Sequence, residues 1–217
     1  MARRPGATTA LPSANWVAER LAPVVEAHRL PPLDRGVAEL LAGYLGLFLP
    51  WNARVNLSAA RSAEAVVDAH LADGIALLPH LPAGPATLVD VGAGAGFVGV
   101  LVASARPDVR CALVEPSTKR HTFLRAVARE LPLPNVEPLA ERLEEHLARP
   151  GRPVYDVAVS RATWAPSDWL ARAEALLRPG GLAFAFEGAR RSELPAGVER
   201  LTRPDGRGSL LRKPPSG

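Results

Sequence analysis

The first third of the chain carries apolar residues spaced three or four apart, as on one face of a helix. Asp34 and Ser62 can cap the second and third of these helices, and Pro50 is expected to end the second. The predicted helices run from Trp16 to Arg29, from Asp34 to Pro50 and from Ser62 to Leu78. We therefore predict a disordered arm over residues 1–14, followed by a helical extension over residues 15–82 that packs beside the main domain as a lid.

Beyond a proline-rich stretch, short apolar strands alternate with helical segments, a pattern that indicates a parallel sheet. The predicted strands are 87–92, 110–115, 135–139, 154–160 and 182–187, with helices at 96–105, 118–131, 140–148 and 167–177. A turn is expected at 178–181, and Gly197–Thr202 pairs with Ser209–Arg212 as a final pair of strands. The fold class is thus α/β, a doubly wound, mostly parallel sheet over residues 83–213, with a tail at 214–217.

A glycine-rich loop follows the first of these strands. Gly92, Gly94 and Gly96 stand where a buried strand breaks off and a helix begins. The dinucleotide fingerprint has its third glycine one position later, where this chain has Phe97. The spacing therefore favours a site for S-adenosylmethionine (AdoMet) over one for NAD, and the alternative is a tight turn with no ligand.

Glu115 ends the second strand, 23 residues beyond Gly92. In doubly wound folds a carboxylate at about this distance binds the ribose hydroxyls of a nucleotide. Glu115 is accordingly predicted to bind the cofactor ribose, and the alternative is a solvated acid at the end of a strand.

Composition limits the class of protein. The 217 residues and 47% hydrophobic content suit one domain with a sizeable core. The single cysteine, Cys111, excludes a disulfide framework and favours a cytoplasmic location. No apolar run approaches the ~20 residues of a membrane-spanning helix. Neither a membrane partner nor a metal site is predicted, and nothing in the sequence requires more than a monomer.

The positive charge is concentrated near the C-terminus. Between Arg190 and Gly217, seven basic and three acidic side chains give a net +4, which equals the net charge of the whole chain. Such a segment suits a polyanionic partner such as RNA. A basic surface that serves only solubility is the alternative.

Several side chains have two interpretations from sequence alone. His70 is more typical of a hydrogen-bonded helix histidine than of a catalyst, and Asn52 and Asn56 are more typical of turns than of ligand contacts. Trp164 and Trp169 could stack on an unpaired base, although burial against a helix is the commoner role. The remaining ambiguous group is Arg161, at the end of the fourth strand, which either contacts a ligand or pairs with Glu187.

The order of these motifs resembles the RsmG (GidB) family, AdoMet-dependent methyltransferases of bacterial 16S rRNA. The resemblance extends from about Leu33 to Lys213. It depends on Trp51-Asn-Ala-Arg-Val-Asn-Leu-Ser58, the helix with His70 and Asp73, Asp90-Val-Gly-Ala-Gly-Ala-Gly-Phe97, Glu115 with Lys119-Arg120, Arg142-Leu-Glu-Glu145 and Ser160-Arg-Ala162.

The resemblance implies N7 methylation of one guanosine in the 530 loop of 16S rRNA, as free RNA or in the small ribosomal subunit. It implies a class I methyltransferase fold with AdoMet bound at the glycine loop, including Gly94. Gly92 and Phe97 would line the methionine and ribose part of AdoMet. Leu143 and Glu144 would border the adenine. Arg161 would lie near the methionine end and the incoming base.

The chain departs from the family pattern at Val98, where the family usually has proline, at Gly74, where it has serine, and at Glu187, where it has lysine. A lysine that contacts phosphate would be replaced by an anion, which weakens RNA binding. Two alternative functions therefore remain. One is a methyltransferase acting on a small molecule, and the other is a non-catalytic AdoMet-binding or RNA-binding relative.

Overall fold

The computed structural model describes residues 11–161, 163–188 and 191–213. The predicted tail and the first ten residues of the predicted arm lie outside these ranges. The N-terminal helices are α1 (Ala14–Ala27), α2 (Arg35–Val55), α3 (Ala63–Val66) and α4 (Ala72–Leu77), with a π-helical segment, Val67–Leu71, between α3 and α4 and a 3-10 turn, Leu78–His80, after α4.

The caps of the second and third helices agree with the prediction. The Asp34 side chain accepts a hydrogen bond from the backbone N–H of Gly36 at 2.7 Å, and the Ser62 hydroxyl accepts one from Ala65 at 3.2 Å. Each bond satisfies one of the N–H groups that a helix start leaves without a partner. The apolar stripe of α1 is buried as expected: Val17, Leu21, Val24 and Val25.

The described residues contain one seven-stranded sheet in the order β3-β2-β1-β4-β5-β7-β6. Strands β1 to β5 run parallel, β7 is antiparallel to β5, and β6 is antiparallel to β7. The strands are β1 (Ala86–Val91), β2 (Val109–Val114), β3 (Val136–Leu139), β4 (Tyr155–Ser160), β5 (Leu177–Glu187), β6 (Glu199–Thr202) and β7 (Ser209–Lys213), and the helices between them are α5 (Phe97–Ala105), α6 (Thr118–Glu130), α7 (Leu143–Ala148) and α8 (Pro166–Ala173). The prediction of a doubly wound, mostly parallel sheet is confirmed.

An aromatic cluster joins the helical extension to the sheet domain. Phe97 at the start of α5 contacts Phe48 of α2 edge-on, with ring centroids 5.2 Å apart, and Tyr44 lies 6.0 Å from Phe123 of α6. Tyr44 also donates a hydrogen bond from its buried hydroxyl to the carbonyl of Ala95 in the glycine loop, at 2.8 Å. The extension therefore packs beside the main domain and supports the glycine loop directly. The domain boundary at residue 82 and the role of the extension as a lid stay predictions.

The predicted end of the second helix at Pro50 is wrong, because α2 continues to Val55. Asn52 is therefore a helix residue and not a turn residue. Its buried amide donates to Ala60 O at 2.6 Å and accepts from Ser58 N at 2.8 Å, which ties down the loop after the helix. The turn falls at Asn56, which caps the helix with φ of 54°.

Three boundaries also differ from the prediction. The expected turn at 178–181 lies inside β5, where pairing with β4 steps from Leu177 to Leu182 as a bulge. The helix predicted from residue 140 begins at Leu143, and α8 ends at Ala173 before a 3-10 turn. Each difference is local and leaves the strand order unchanged.

Candidate cofactor and substrate site

The glycine loop connects β1 to α5 at the carboxyl edge of the sheet. Gly92, Gly94 and Gly96 all have positive φ, of 70°, 62° and 82°. A Cβ at Gly92 would lie 2.2 Å from the Thr163 hydroxyl, and one at Gly96 would lie 2.6 Å from Leu124. A Cβ at Gly94 would meet only Gly92 O, at 3.9 Å. Packing therefore requires the outer two glycines, whereas Gly94 presents open backbone to a ligand.

A cavity of about 260 Å³ lies against this loop. Four of the predicted cofactor residues line it: Gly92, Gly94, Phe97 and Arg161. The loop residues Leu57, Ser58 and Ala59, which follow α2, form part of the opposite wall. The structure thus brings the glycine loop, the segment tied down by Asn52 and the end of β4 to one place.

Glu115 lies directly beneath the loop and is almost fully buried. Its two carboxylate oxygens accept hydrogen bonds from the backbone N–H groups of Gly94 and Ser117, both at 2.8 Å. Arg120 lies 4.0 Å away. The alternative of a solvated acid is therefore wrong: the carboxylate is built into the loop, and its contact with a ribose stays a prediction.

Leu143 and Glu144, like Glu115, are not among the residues that line the cavity. Leu143, at the start of α7, is buried in the apolar cluster on one face of the sheet, together with Val91 and Val114. The Glu144 side chain is 67% exposed and faces Arg172 at 3.7 Å. Their role at the adenine stays a prediction from the resemblance.

Arg161 pairs with a different acid from the one considered in the sequence. Its Nη1 donates to Asp73 Oδ2 at 3.1 Å, and its guanidinium lies 6.0 Å from the centre of the Phe97 ring. The suggested pair with Glu187 is wrong, because Glu187 bonds Arg200 instead, at 2.8 Å. Arg161 is thereby held between the glycine-loop cavity and a second, larger cavity.

The Arg161–Asp73 pair belongs to a buried network that the sequence did not reveal. Arg203, only 4% exposed, donates to the other oxygen of Asp73 and to Asp205 at 2.6 Å. Burial opposes the charge of Arg203, but its hydrogen bonds to the carboxylates of Asp205 and Asp73, together with their negative charge, outweigh burial and hold the pKa of Arg203 above the ordinary value. One buried carboxylate from the N-terminal helices thus orients two arginines from the C-terminal third of the chain.

His70 lies behind the cavity, on the π-helical segment. Its ring stacks on Phe97 with centroids 4.3 Å apart, and its Nε2 is 3.5 Å from the Ser58 hydroxyl. Its Nδ1 is buried without a hydrogen-bond partner among the described residues. Burial first, and then the charge of Arg161, lower the pKa of His70 to about 4. His70 is therefore neutral near pH 7 and packs against Phe97. The prediction of a hydrogen-bonded helix histidine holds for Nε2 but not for Nδ1.

Asp90, at the end of β1, also lines the cavity. Its carboxylate is 3% exposed and accepts a hydrogen bond from Gly99 N at 3.2 Å. Burial raises the pKa of Asp90 to about 7, against the weaker opposing effects of the Gly99 N–H and Arg161. A buried carboxylate of this kind is poised to ionise when a cation binds beside it.

The second cavity, of about 850 Å³, lies between the end of β5, the start of α8 and the β6–β7 hairpin. Arg161 lines both this cavity and the glycine-loop cavity. We call this larger space the arginine cleft, because its wall includes Arg161, Arg191, Arg203 and Arg207. Two ligands could therefore meet at Arg161, one from each side.

None of the described helices combines the length and apolar character needed to cross a lipid bilayer. Within the same residues, no group of histidine, cysteine and carboxylate side chains is arranged to hold a metal ion.

The chain matches the family model GidB, described as rRNA small subunit methyltransferase G, over residues 37–201. Curated relatives carry the name ribosomal RNA small subunit methyltransferase G. The protein from Chromobacterium violaceum is 40% identical over 164 residues, which cover 74% of this chain and 77% of that protein. The one from Anaeromyxobacter dehalogenans strain 2CP-1 is 39% identical over 170 residues, covering 78% of each. The chain belongs to this family. The resemblance drawn from the motifs is thus confirmed, and the residues matched by the family model run from the first turn of α2 into β6.

Solved structures of low sequence identity share the fold. Coclaurine N-methyltransferase bound to N-methylheliamine and SAH is 16% identical, with a TM-score of 0.50, and the match covers 80% of this chain and 57% of that enzyme. A chain of a fibrillarin/NOP5P complex is 15% identical, also with a TM-score of 0.50, over 67% of this chain and 81% of that one. Together with the strand order, they bear out the predicted class I methyltransferase fold.

Proposed function

We propose that this protein transfers a methyl group from AdoMet to N7 of one guanosine in the 530 loop of 16S rRNA. Membership of the small subunit methyltransferase G family supports rRNA as the substrate. The observation that carries the proposal is the meeting of two cavities at Arg161, one against the glycine loop and one rich in arginine. Such a junction suits a methyl donor on one side and a polyanion on the other.

The glycine-loop cavity has the chemistry that AdoMet requires. Gly94 leaves room for close approach to the backbone, and Phe97 supplies an apolar surface. Asp90 would hold the cationic end of the methionine part, and Arg161 its carboxylate. When bound, AdoMet supplies a methyl group activated by a positively charged sulfur.

The residues around the junction indicate catalysis by alignment. Guanine N7 carries a lone pair and no proton at neutral pH, so the new N–C bond forms as the C–S bond breaks, the C–S electron pair stays on sulfur, and the purine gains a positive charge. Orientation of two reactants can contribute ~7 to 11 kcal/mol. His70 is covered by Phe97, and burial raises the pKa of the Cys111 thiol, so neither is suited to serve as base or nucleophile.

The alternative of a small-molecule substrate drew its support from the altered loop at Val98 and from Glu187. In the folded chain that carboxylate is buried and bonded to Arg200 and to the N–H and hydroxyl of Ser192. Burial favours the neutral form, but these hydrogen bonds outweigh it and lower the pKa of Glu187 to about 2. The anion is therefore neutralised internally, and the substitution leaves the cleft open to RNA.

The proposal is tested by methyl transfer from labelled AdoMet to small ribosomal subunits and 16S rRNA that lack the mark. The modified base is located by strand cleavage specific for N7-methylguanine. Label at one guanosine of the 530 loop is expected. Absence of label with AdoMet binding intact contradicts the proposal and favours the small-molecule enzyme.

A matched pair of variants links the activity to the site. Arg161→Met is expected to lower transfer by at least about tenfold through lost orientation. Arg35→Met, which removes an exposed arginine that pairs with Glu39 on the surface of α2, is the control and should act as the wild type does. Equal activity of the two variants would remove Arg161 from the mechanism.

A further inference from the structure

The acids of the arginine cleft are all paired. Asp68 accepts from Arg20 Nε at 2.9 Å, and Glu187 accepts from Arg200 Nε at 2.8 Å. Asp73 is shared by the two arginines of the buried network described above. The ion-pair partners of Asp68 and Glu187, Arg20 and Arg200, lie outside the cleft lining. The charge of Asp73 is balanced by Arg161 and Arg203, so the negative charge of the wall is cancelled without an ion pair to Arg191 or Arg207.

Two cations remain directed at the cleft. Arg191 is exposed, and its side chain has no ion-pair or hydrogen-bond partner among the described residues. Arg207 is also exposed and donates to the carbonyl oxygen of Asp68, a neutral acceptor, while the carboxylate of Asp68 is paired with Arg20. A cavity with two such arginines and neutralised acids attracts phosphate groups.

An aromatic wall lies on the other side of the cavity. Trp164 is partly exposed and lines the cleft. Its indole stacks on Trp169, with centroids 5.6 Å apart and planes at 15°, and the Arg172 guanidinium lies 5.9 Å from its centre. Trp169 is buried, and its Nε1 donates to Phe184 O at 2.7 Å. Trp164 is therefore supported by a fixed neighbour, as a stacking platform for a base must be.

Phosphate-binding arginines, a supported indole and contact with the cofactor cavity suit one ligand class, a nucleotide within single-stranded RNA. We infer that the arginine cleft receives the target nucleotide after it leaves its stack, with the base against Trp164 and the neighbouring phosphates on Arg191 and Arg207. This inference rests on the proposed function and adds the residues that hold the substrate.

The test measures binding of a short fluorescein-labelled single-stranded RNA containing one guanosine, by fluorescence anisotropy in saturating S-adenosylhomocysteine (AdoHcy). Trp164→Ala is expected to weaken binding roughly 10- to 100-fold, the usual effect of losing one stacked base. Trp164→Phe keeps an aromatic face and should retain affinity within about threefold. Trp16→Phe, on α1 and away from the cleft, is the matched control, and AdoHcy affinity should be the same in all four proteins.

A second measurement addresses the phosphates. Arg191→Ala is expected to lower affinity for RNA of any sequence and to reduce the slope of log K against log salt by about 1. An unchanged slope would assign the phosphates to other residues and overturn that part of the inference.

Tryptophan fluorescence of the wild type should decrease when RNA binds. Most of this decrease should be absent in Trp164→Phe. This readout does not depend on any unstable variant.

The outcomes separate this inference from the proposed function. Trp164-dependent RNA binding without methylation at N7 would support the cleft and contradict the function. Methylation of the 530 loop that Trp164→Ala leaves unchanged would support the function and overturn the cleft. Equal affinity for RNA in all four proteins, or for a double-stranded RNA in place of the single strand, would also overturn it.

Discussion

Asp90 can be tested by a change that removes its charge and keeps its shape, Asp90→Asn. The carboxylate is 3% exposed and bonds only to the Gly99 N–H among the described residues. Burial raises its pKa from the ordinary 3.8 to about 7 in the ligand-free protein. The folded chain therefore binds this proton more tightly than the unfolded chain does.

The sign of the pH dependence follows directly. A group whose pKa is raised by folding contributes stability that is fully present below the unfolded pKa and is lost as pH rises through the folded pKa. The shift in the pKa of Asp90 corresponds to a total contribution of ~4 kcal/mol to the free energy of unfolding. About 3 kcal/mol of this contribution is lost between pH 4.5 and pH 8. His70 acts in the opposite direction, since its pKa is lowered to about 4 and its contribution grows as pH rises from there toward 6.5. The comparison must therefore be between variant and wild type at each pH.

The assay is urea unfolding of both ligand-free proteins at pH 4.5, 6 and 8. The stability of the wild type minus that of Asp90→Asn should decrease by about 3 kcal/mol across this range. Asp34→Asn, which removes an exposed carboxylate from a helix cap, controls for the loss of one negative charge. A difference that does not change with pH would refute the assignment of a protonated, buried Asp90.

AdoMet binding should lower the pKa of Asp90, which burial raises in the ligand-free protein. A cation bound beside the carboxylate favours its ionised form, so AdoMet affinity should rise by up to about tenfold per pH unit below pH 7 in the wild type. Calorimetry would register the released proton as a dependence of the binding heat on the buffer. Asp90→Asn should lose both effects, and their persistence in this variant would place the cationic end elsewhere.

Three further changes address the loop and the cleft. Gly94→Arg fills the open side of the loop and should abolish AdoMet binding in a titration. Because the φ of Gly94 is positive, the change should also lower the free energy of unfolding, by only ~1 to 2 kcal/mol. Unchanged AdoMet affinity would remove the loop from the site. Tyr44→Phe leaves the carbonyl of Ala95 without its partner, which should cost about 1 to 3 kcal/mol in urea unfolding, and equal stability would mean that the helical extension does not hold the loop. Glu187→Gln should lower the Tm at pH 7, because Arg200 loses its carboxylate partner. The Tm difference from the wild type should disappear toward pH 2, where Glu187 itself is protonated. A Tm difference that persists at pH 2 would be inconsistent with the ion pair.

The fold was largely predictable because its signals are local. Strand–helix alternation, the caps at Asp34 and Ser62 and the glycine loop each depend on residues within one turn or strand. The failure at Pro50 has a physical cause: a proline inside a helix costs ~3 kcal/mol, and the buried Phe48 and Asn52 on either side compensate for it through tertiary contacts. A sequence pattern does not contain such contacts.

The candidate site was predictable only in part, for the same reason. Gly92, Gly94 and Phe97 are close together in sequence, and the structure places them on one cavity. Arg161 and its partner Asp73 are 88 residues apart in the sequence, and Arg203 and Asp73 are 130 apart. No local sequence pattern predicts either pair. The sequence offered Asp73 only as part of a family motif, and its two partners lie at the end of β4 and in the β6–β7 hairpin.

The position of Arg203 also bears on when the protein becomes active during its own synthesis. A ribosome makes Asp73 and Arg161 long before the β6–β7 hairpin that contains Arg203. Until that hairpin docks, Asp73 holds only Arg161, and the wall that carries Arg203 and Arg207 is absent from the cleft. A nascent chain could thus complete its glycine loop and still lack a place for substrate. The β6–β7 hairpin, which is made after Asp73 and Arg161, thus completes the arginine cleft.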